Sequence, residues 1–387
     1  MTRFKLFTIL ATLFSFALAG CSQHEPEEID SGSIIIGHVT DSHSWHICDF
    51  KAKDGSEHAV AVNLPIILID DGSLQVFSSK RFHHGHEVYQ GKKHTYALIG
   101  GGLVKEEVVC VQECSSEPME DAENTVYEIG GKRYSPVLDA EGNIVKPIDL
   151  SITKTAAAII IAVTLLIIIV LASAKKYKVR DGKAPHGMQS LLEMLVLHVR
   201  DDIVEPILGH NTRRFLPYLL TLFFFIFFCN ILGLIPIFPA GANITGNIAV
   251  TAILALITFI ITNVNGNKHY WKDIFNTPGV PAWLKIFPLM PVVELVGVFT
   301  KPIVLMIRLF ANMTAGHIVI LGFVVIIFIL SNSLGMAVGG AVSVVSVIFA
   351  VFISLLECLV AYIQAFVFTM LSALYISMAV EEPAHEN

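Results

Sequence analysis

Charge is what this chain has least of. Only 15% of its 387 residues are charged against 54% hydrophobic, and the mean hydropathy of +0.66 excludes an ordinary soluble domain. No basic patch interleaved with aromatics occurs, which removes nucleic acid as a partner. No GxxxxGK[ST] loop occurs, so the chain has no phosphate-binding loop of that kind. No internal repeat is visible, which speaks against the paired halves of many transporters. Cysteine is sparse, with six residues. Cys229 and Cys358 lie in apolar runs and read as packing residues.

What is present is segregated. The N-terminus, "MTRFKLFTILATLFSFALAGCSQHEPEE", has a basic start at Arg3 and Lys5, an apolar stretch from Leu6 to Ala19, and small residues after it. That is the form of an export signal. "LAGC", ending at Cys21, resembles a bacterial lipobox, and an ordinary signal peptide is the alternative. The expected organisation is an export segment over 1–21, an exported domain over 22–150, and a membrane domain over 151–387. In the exported part, "SGSIIIGHV", "HAVAVNLPIILI" and "SLQVFSS" are broken by "KDGS", "DDGS" and "GG", the pattern of short strands and turns. Cys48, Cys110 and Cys114 remain there beside Cys21. Three is odd, so at most one pair forms, and Cys110 with Cys114 is the nearest candidate. The segment is rich in histidine, including "HHGH" at His83, His84 and His86. No spacing matches a zinc pattern, so neither a metal nor another cofactor is expected.

From Lys154 the character changes. "TAAAIIIAVTLLIIIVLASA" is long enough to span a bilayer, and "KKYKVRDGK" after it marks the cytoplasmic side. "MQSLLEMLVLHVRDDIVEPILG" reads as an amphipathic helix on that face. Further segments run from about Phe215 to Phe238, Asn247 to Thr262, Pro291 to Leu330 and Gly340 to Val380. The link "PAGANITG" lacks Lys and Arg, as an outside loop should. The next link carries Lys268, Lys272 and Lys285, as an inside loop should. The expected fold is therefore a membrane all-α protein with five membrane segments and a small exported β-rich N-terminal domain. It lies in a bacterial inner membrane, with its N-terminal domain periplasmic and its C-terminus cytoplasmic. The last two segments are about 40 residues each, or roughly 60 Å as helices, against a hydrocarbon core of about 30 Å. They must be bent, broken or strongly tilted, and strong tilt is the expectation adopted.

Those two segments hold Glu294, Lys301, Arg308, Asn312, His317, Glu357 and Gln364. An ionisable group at mid-membrane is costly and usually faces water or a partner, marking an ion path. Snorkelling suits Lys301; a structural ion pair is the bland alternative for the others. Helical spacing puts Asn312 on the face of Arg308, His317 on nearly the opposite face, and Glu357 with Gln364 on one face of the last helix. A secondary transporter or ion channel with a lipoprotein-like domain would place such charges similarly.

"LMIRLFANMTAGHIVI" and "VAYIQAFVFTMLSALYISMAVEE", with "FLPYLLTLFFFIFFCNILGLIPIF" and "GNIAVTAILALI", resemble subunit a of the F-type ATP synthase over residues 185–382. The exported domain is outside that resemblance. The resemblance implies a non-catalytic stator subunit with two offset half-channels, working against a c-ring and beside subunit b, the peripheral stalk and the other synthase subunits, in membrane lipid. It implies that Arg308 is the essential arginine, that His317 and Glu357 line the outer half-channel, that Gln364 lies near the arginine, and that Glu294 is on the inner half-channel. A common bacterial pattern has the acid at position 317 and the histidine at position 357, so the two residue types are exchanged here. Many members carry an acid where this chain has Gly233, so Asn230 is a candidate channel-lining residue.

Overall fold

The structure is a computed structural model. It describes residues 40–51, 57–70, 72–85, 87–101, 104–113, 127–139, 143–179, 184–235, 241–275, 289–334 and 336–381. The expected export segment with Cys21, the strand expected in "SGSIIIGHV", Cys114 and His86 lie outside them. Two compact units divide the chain. One comprises Met1–Ala158, Pro236–Ala242 and Val324–Ser343; the other comprises Ile159–Ile235, Asn243–Phe323 and Val344–Asn387.

The N-terminal domain is β-rich, as its alternating pattern predicts. β1 (Ser44–Lys51) and β2 (Glu57–Asn63) form an antiparallel pair with a bulge between His46 and Cys48. β3 (Pro65–Asp70) and β4 (Ser73–Ser78) form a second hairpin. Its turn uses Gly72 at φ 78, a conformation open to glycine at little cost. β5 (Tyr89–Gln90), β6 (Thr95–Gly101), β7 (Val104–Glu113), β8 (Tyr127–Ile129) and β9 (Lys132–Pro136) form a five-stranded sheet in the order β5-β6-β7-β9-β8. β10 (Ile148–Asp149) returns beside β3. Alternate positions turn inward, so Ile66, Leu68, Phe77, Phe82, Tyr96, Leu98, Val108 and Cys110 share one core.

His43 joins the two ends of this domain. Its ring is 1% exposed; Nε2 lies 3.0 Å from Asp149 Oδ2, and Nδ1 lies 3.5 Å from Glu106 Oε2. Next to it, Asp41 Oδ1 accepts from Thr155 N at 3.0 Å, and Ser42 O accepts from Lys154 N. Burial works against a charge on the ring. The hydrogen bond to Asp149 and the nearby Glu106 overcome it and raise the pKa from 6.5 to about 9. Because the folded value is the higher one, the ion pair stabilises fully below pH 6.5 and loses its effect as pH rises through about 9. We expect amide protection of residues 42–45 and 148–155, corrected for intrinsic exchange, to drop on going from pH 7 to pH 10. His43→Gln should remove that pH dependence. Equal protection at both pH values would contradict the assignment.

Among the described residues, the α-helices are α1 (Lys154–Val179), α2 (Met188–His198), α3 (Glu205–Leu208), α4 (Thr212–Leu234), α5 (Ile248–Val264), α6 (Lys268–Phe275), α7 (Leu289–Leu334) and α8 (Met336–Val380). The expected amphipathic helix is present but is not a separate element. A π-helical stretch, Val199–Val204, follows α2, and Met188–Leu234 runs on as one helical path. Its apolar side, Leu192, Leu195, Val199, Ile203, Val204 and Leu208, is buried, whereas Asp201, Asp202 and Glu205 are exposed. α7 and α8 have 46 and 45 residues and are each a single α-helix, so neither is broken. At 1.5 Å per residue each is about 68 Å long. Pro302 sits inside α7 without ending it.

Among the described residues, four stretches are long and apolar enough to cross a membrane: Lys154–Tyr177, Met188–Leu234, Val292–Ile326 and Val342–Val380. The remaining expected segment is α5, a 17-residue apolar helix about 25 Å long. Small residues permit close approach in this unit: Ala361, Ala365, Thr369, Ser372 and Ala373 of α8 are each fully buried. Leu305, Leu309 and Met313 of α7 share their core with Leu219 and Phe223 of α4. The end of α8 is held through its backbone carbonyls, with Asn267 N donating to Ala379 O at 2.8 Å and Asn267 Nδ2 to Val380 O at 2.7 Å.

Candidate functional site in the two long helices

Heptad spacing aligns Glu294, Lys301 and Arg308 along one face of α7. Glu294 and Lys301 are half-buried, and Arg308 is exposed. Lys301 Nζ sits 5.5 Å from the centre of the Tyr375 ring, a cation–π contact. Glu294 lies within electrostatic reach of Lys301, and Tyr375 within that of Arg308. Lys301 therefore has a specific aromatic seat, where snorkelling alone was expected. Tyr375 went unremarked in the sequence, because an aromatic near a membrane-helix end is ordinary.

Arg308 and Asn312 are both exposed and lie on one face, as their four-residue spacing predicts. The neighbouring Leu305, Leu309 and Met313 point into the helix core and are at most 3% exposed. An exposed arginine in an apolar helix faces lipid, a water-filled path or a partner. Facing lipid costs at least about 2.5–3.5 kcal/mol near mid-membrane, which disfavours that alternative.

His317 lies nine residues beyond Arg308, about 13 Å along the helix, and turns the other way. Its Nδ1 is 3.8 Å from Glu357 Oε1 of α8, and the two side chains are 13% and 9% exposed. Among the described residues, His317 Nε2 and both Glu357 carboxylate oxygens are buried with no hydrogen-bond partner. Unsatisfied buried polar groups cost about 1–3 kcal/mol each. Gly316 makes the approach possible, since a Cβ at that position would collide with Glu357 Oε1. No periodicity in the sequence marks Gly316; its only signal is a glycine directly before the histidine.

Gln364 is 6% exposed on α8, two turns from Glu357 and on the same face. Asn230 of α4 is fully buried. Its Nδ2 donates to Ala361 O at 3.3 Å, and its Oδ1 accepts from Thr245 Oγ1 at 2.6 Å. Both ends of the amide are thus engaged in clamping α4 and the loop before α5 to α8, one turn from Glu357. Thr245 was missed in the sequence, where "PAGANITG" reads only as an outside loop.

Fold and site together define a multi-pass membrane protein with ionisable groups inside its two longest helices. Comparison with known proteins narrows this. The family described as ATP synthase A chain matches residues 156–377, more than half of the chain, and the chain belongs to that family. Relatives named ATP synthase subunit a agree. "ATP synthase subunit a 2" of Chlorobaculum tepidum is 44% identical over 259 residues, covering 65% of this chain and 68% of the relative. "ATP synthase subunit a" of Chloroherpeton thalassium is 39% identical over 267 residues, 67% and 74% of the two chains. The protein of that name from Myxococcus xanthus is 44% identical over 247 residues, 62% and 76%. Residues 34–143 match a separate domain of unknown function, DUF8433.

Proposed function

We propose that this chain is the ion-translocating stator subunit of an F-type ATP synthase membrane sector. It forms two offset half-channels against a c-ring and couples proton flow to rotation, while nucleotide chemistry belongs to other subunits. The observation that carries this reading is the division of polar groups on α7. Arg308 and Asn312 are exposed, whereas His317 is turned inward to a buried Glu357, which supports a partner surface at the arginine. A proton entering from outside reaches the His317–Glu357 couple. It passes to a ring carboxylate, travels with the ring, and leaves by the inner path at Glu294. Arg308 attracts the deprotonated carboxylate and repels cations, so the two paths do not join. Guanidinium suits that role because it stays charged at any accessible pH. Gln364 helps to position the arginine, and Asn230 supports the outer path from behind.

The partners are the c-ring, subunit b of the peripheral stalk, the other synthase subunits and membrane lipid. To test the arrangement, cysteines are placed at Asn312→Cys and beside the ring carboxylate in a background lacking Cys229 and Cys358. Oxidation should join this chain to the ring in the purified complex. A cross-link formed equally well from Thr314→Cys, about half a turn round α7 and with its hydroxyl against Gly246 O, would count against the assigned face.

The chain crosses a bacterial inner membrane five times, with α5 as the shortest crossing. The boundaries are an export segment over 1–21, an exported domain over 22–150 and a membrane domain over 151–387. The Lys/Arg asymmetry supports an external N-terminal domain and an internal C-terminus. Protease added to intact spheroplasts should remove the exported domain and spare an epitope placed after Glu381. Loss of that epitope would reverse the topology.

A further inference from the structure

We propose that Asp70, His94 and Cys110 of the exported domain form a site for a divalent transition-metal ion of the zinc type. Their carboxylate, imidazole and sulfur donor atoms all lie within 4.8 Å of one another. An ion at the centre of such a triangle is at most about 2.8 Å from each donor, so shifts of roughly 0.5–0.8 Å reach bonding distances of about 2.0–2.3 Å. The three donors come from different parts of the fold. Asp70 ends β3 of one sheet, Cys110 lies on β7 of the other, and His94 is in the turn leading into β6. An ion here therefore staples the β3–β4 sheet to the five-stranded sheet of a small domain, the kind of support small scaffolds use.

The donors are held rather than loosely gathered. His94 Nδ1 is 2.7 Å from Asp70 Oδ2, and Tyr96 Oη donates to the same oxygen at 2.7 Å. Gln75 Nε2 donates in turn to Tyr96 Oη at 2.9 Å. This chain of outer partners orients the carboxylate, as second-sphere groups do in metal sites. Gly91 N donates to His94 O at 2.9 Å and closes the turn. A Cβ at Gly91 would strike the Tyr96 ring and Gln75 Oε1, so only glycine lets the turn lie against this network. Tyr96 and Cys110 face each other across β6 and β7.

The chemistry of the donors selects the ion. Thiolate with imidazole disfavours Mg²⁺ and Ca²⁺, which prefer oxygen ligands, and suits Zn²⁺ and its neighbours. Cys110 is 0% and Asp70 4% exposed. Two buried groups that become anionic side by side are unfavourable alone, and a dication compensates both. The His94 side chain is 31% exposed, which opens a route for the ion and a place for water as fourth ligand. On binding, the thiol proton of Cys110 leaves to solvent, so affinity falls as pH is lowered. Sequence spacing hides this site, because the donors are far apart in the chain and none belongs to "HHGH".

The test uses the full-length chain purified in detergent without a histidine tag and titrated with Co²⁺ as a probe. The expected result is one equivalent bound with a thiolate-to-cobalt charge-transfer band, displaced by Zn²⁺, and a raised unfolding temperature. Cys110→Ser should lose the band, and His94→Gln should weaken binding by at least ~10-fold. No such band in the folded wild-type chain overturns the proposal. So does a band that survives Cys110→Ser, or one whose affinity is unchanged in His94→Gln. The histidine variant keeps the question decidable should Cys110→Ser fail to fold, because His94 sits at the surface.

Discussion

Arg308→Ala is expected to abolish ATP-driven proton pumping and ATP synthesis, with a loss of at least ~100-fold, the scale on which a single preorganised charge acts at a reacting centre. The chain should still fold and assemble. Arg308 is exposed, and the core beside it is built by Leu305, Leu309 and Met313. Removing an intramembrane charge need not destabilise a bundle. Passive proton leak should persist or rise, because the barrier between the two paths is gone. Arg308→Lys should also fail in coupled transport: lysine lacks the planar fork of donors and loses its proton when desolvated. Inverted vesicles report both quantities, ATP-driven acidification and passive leak, and immunoblotting confirms assembly. Normal coupled pumping by assembled Arg308→Ala complexes would leave Arg308 as a structural residue and remove the reading of α7.

Several parts of this architecture were legible from the chain alone, and the reasons differ. α1 and the long α7 and α8 follow from apolar runs that no soluble fold needs. The β-rich N-terminal domain follows from alternating residues between glycine-containing turns. The placement of Arg308, Asn312 and His317 on two faces of one helix follows from 3.6-residue periodicity. What periodicity does not carry is the register of one helix against another. The seat of Lys301 on Tyr375, the clamp of Asn230 between Thr245 and Ala361, and the gap at Gly316 all depend on that register. Each is a contact between residues far apart in sequence. The continuity of α7 and α8 was likewise not decidable from length. A run of 46 residues with an internal proline is compatible with a break until the neighbours that satisfy its backbone are seen. Asn230 shows the same limit at one residue: its type marks a buried polar group, but only the fold shows that both of its ends are occupied.

His317 and Glu357 lead to the second large effect. His317→Glu alone places two carboxylates where Nδ1 and Oε1 now stand 3.8 Å apart. Like charges that close cannot both ionise in a desolvated site, so one stays protonated and the relay stalls. Glu357→His alone leaves two imidazoles and no carboxylate to draw a proton inward. Each single change should reduce proton-coupled ATP synthesis by on the order of 10- to 100-fold, the range typical of general acid–base groups. The double exchange, His317→Glu with Glu357→His, restores one acid and one imidazole across the same helix pair. It should retain more activity than either single variant, with an altered pH profile because each group then has the other's surroundings. Gly316→Ala separates geometry from chemistry. Its added methyl displaces the Glu357 carboxylate, the mobile end of a side chain, while leaving both titratable groups in place. Assembly should therefore be preserved and activity should fall, since a misplacement of about 1 Å can cost up to ~100-fold. Proton-driven ATP synthesis in vesicles, measured across pH for all four variants, is the readout. A double variant no better than the worse single one would show that the two residues do not act as a pair, and full activity in Gly316→Ala would show that their close approach across α7 and α8 is not what matters.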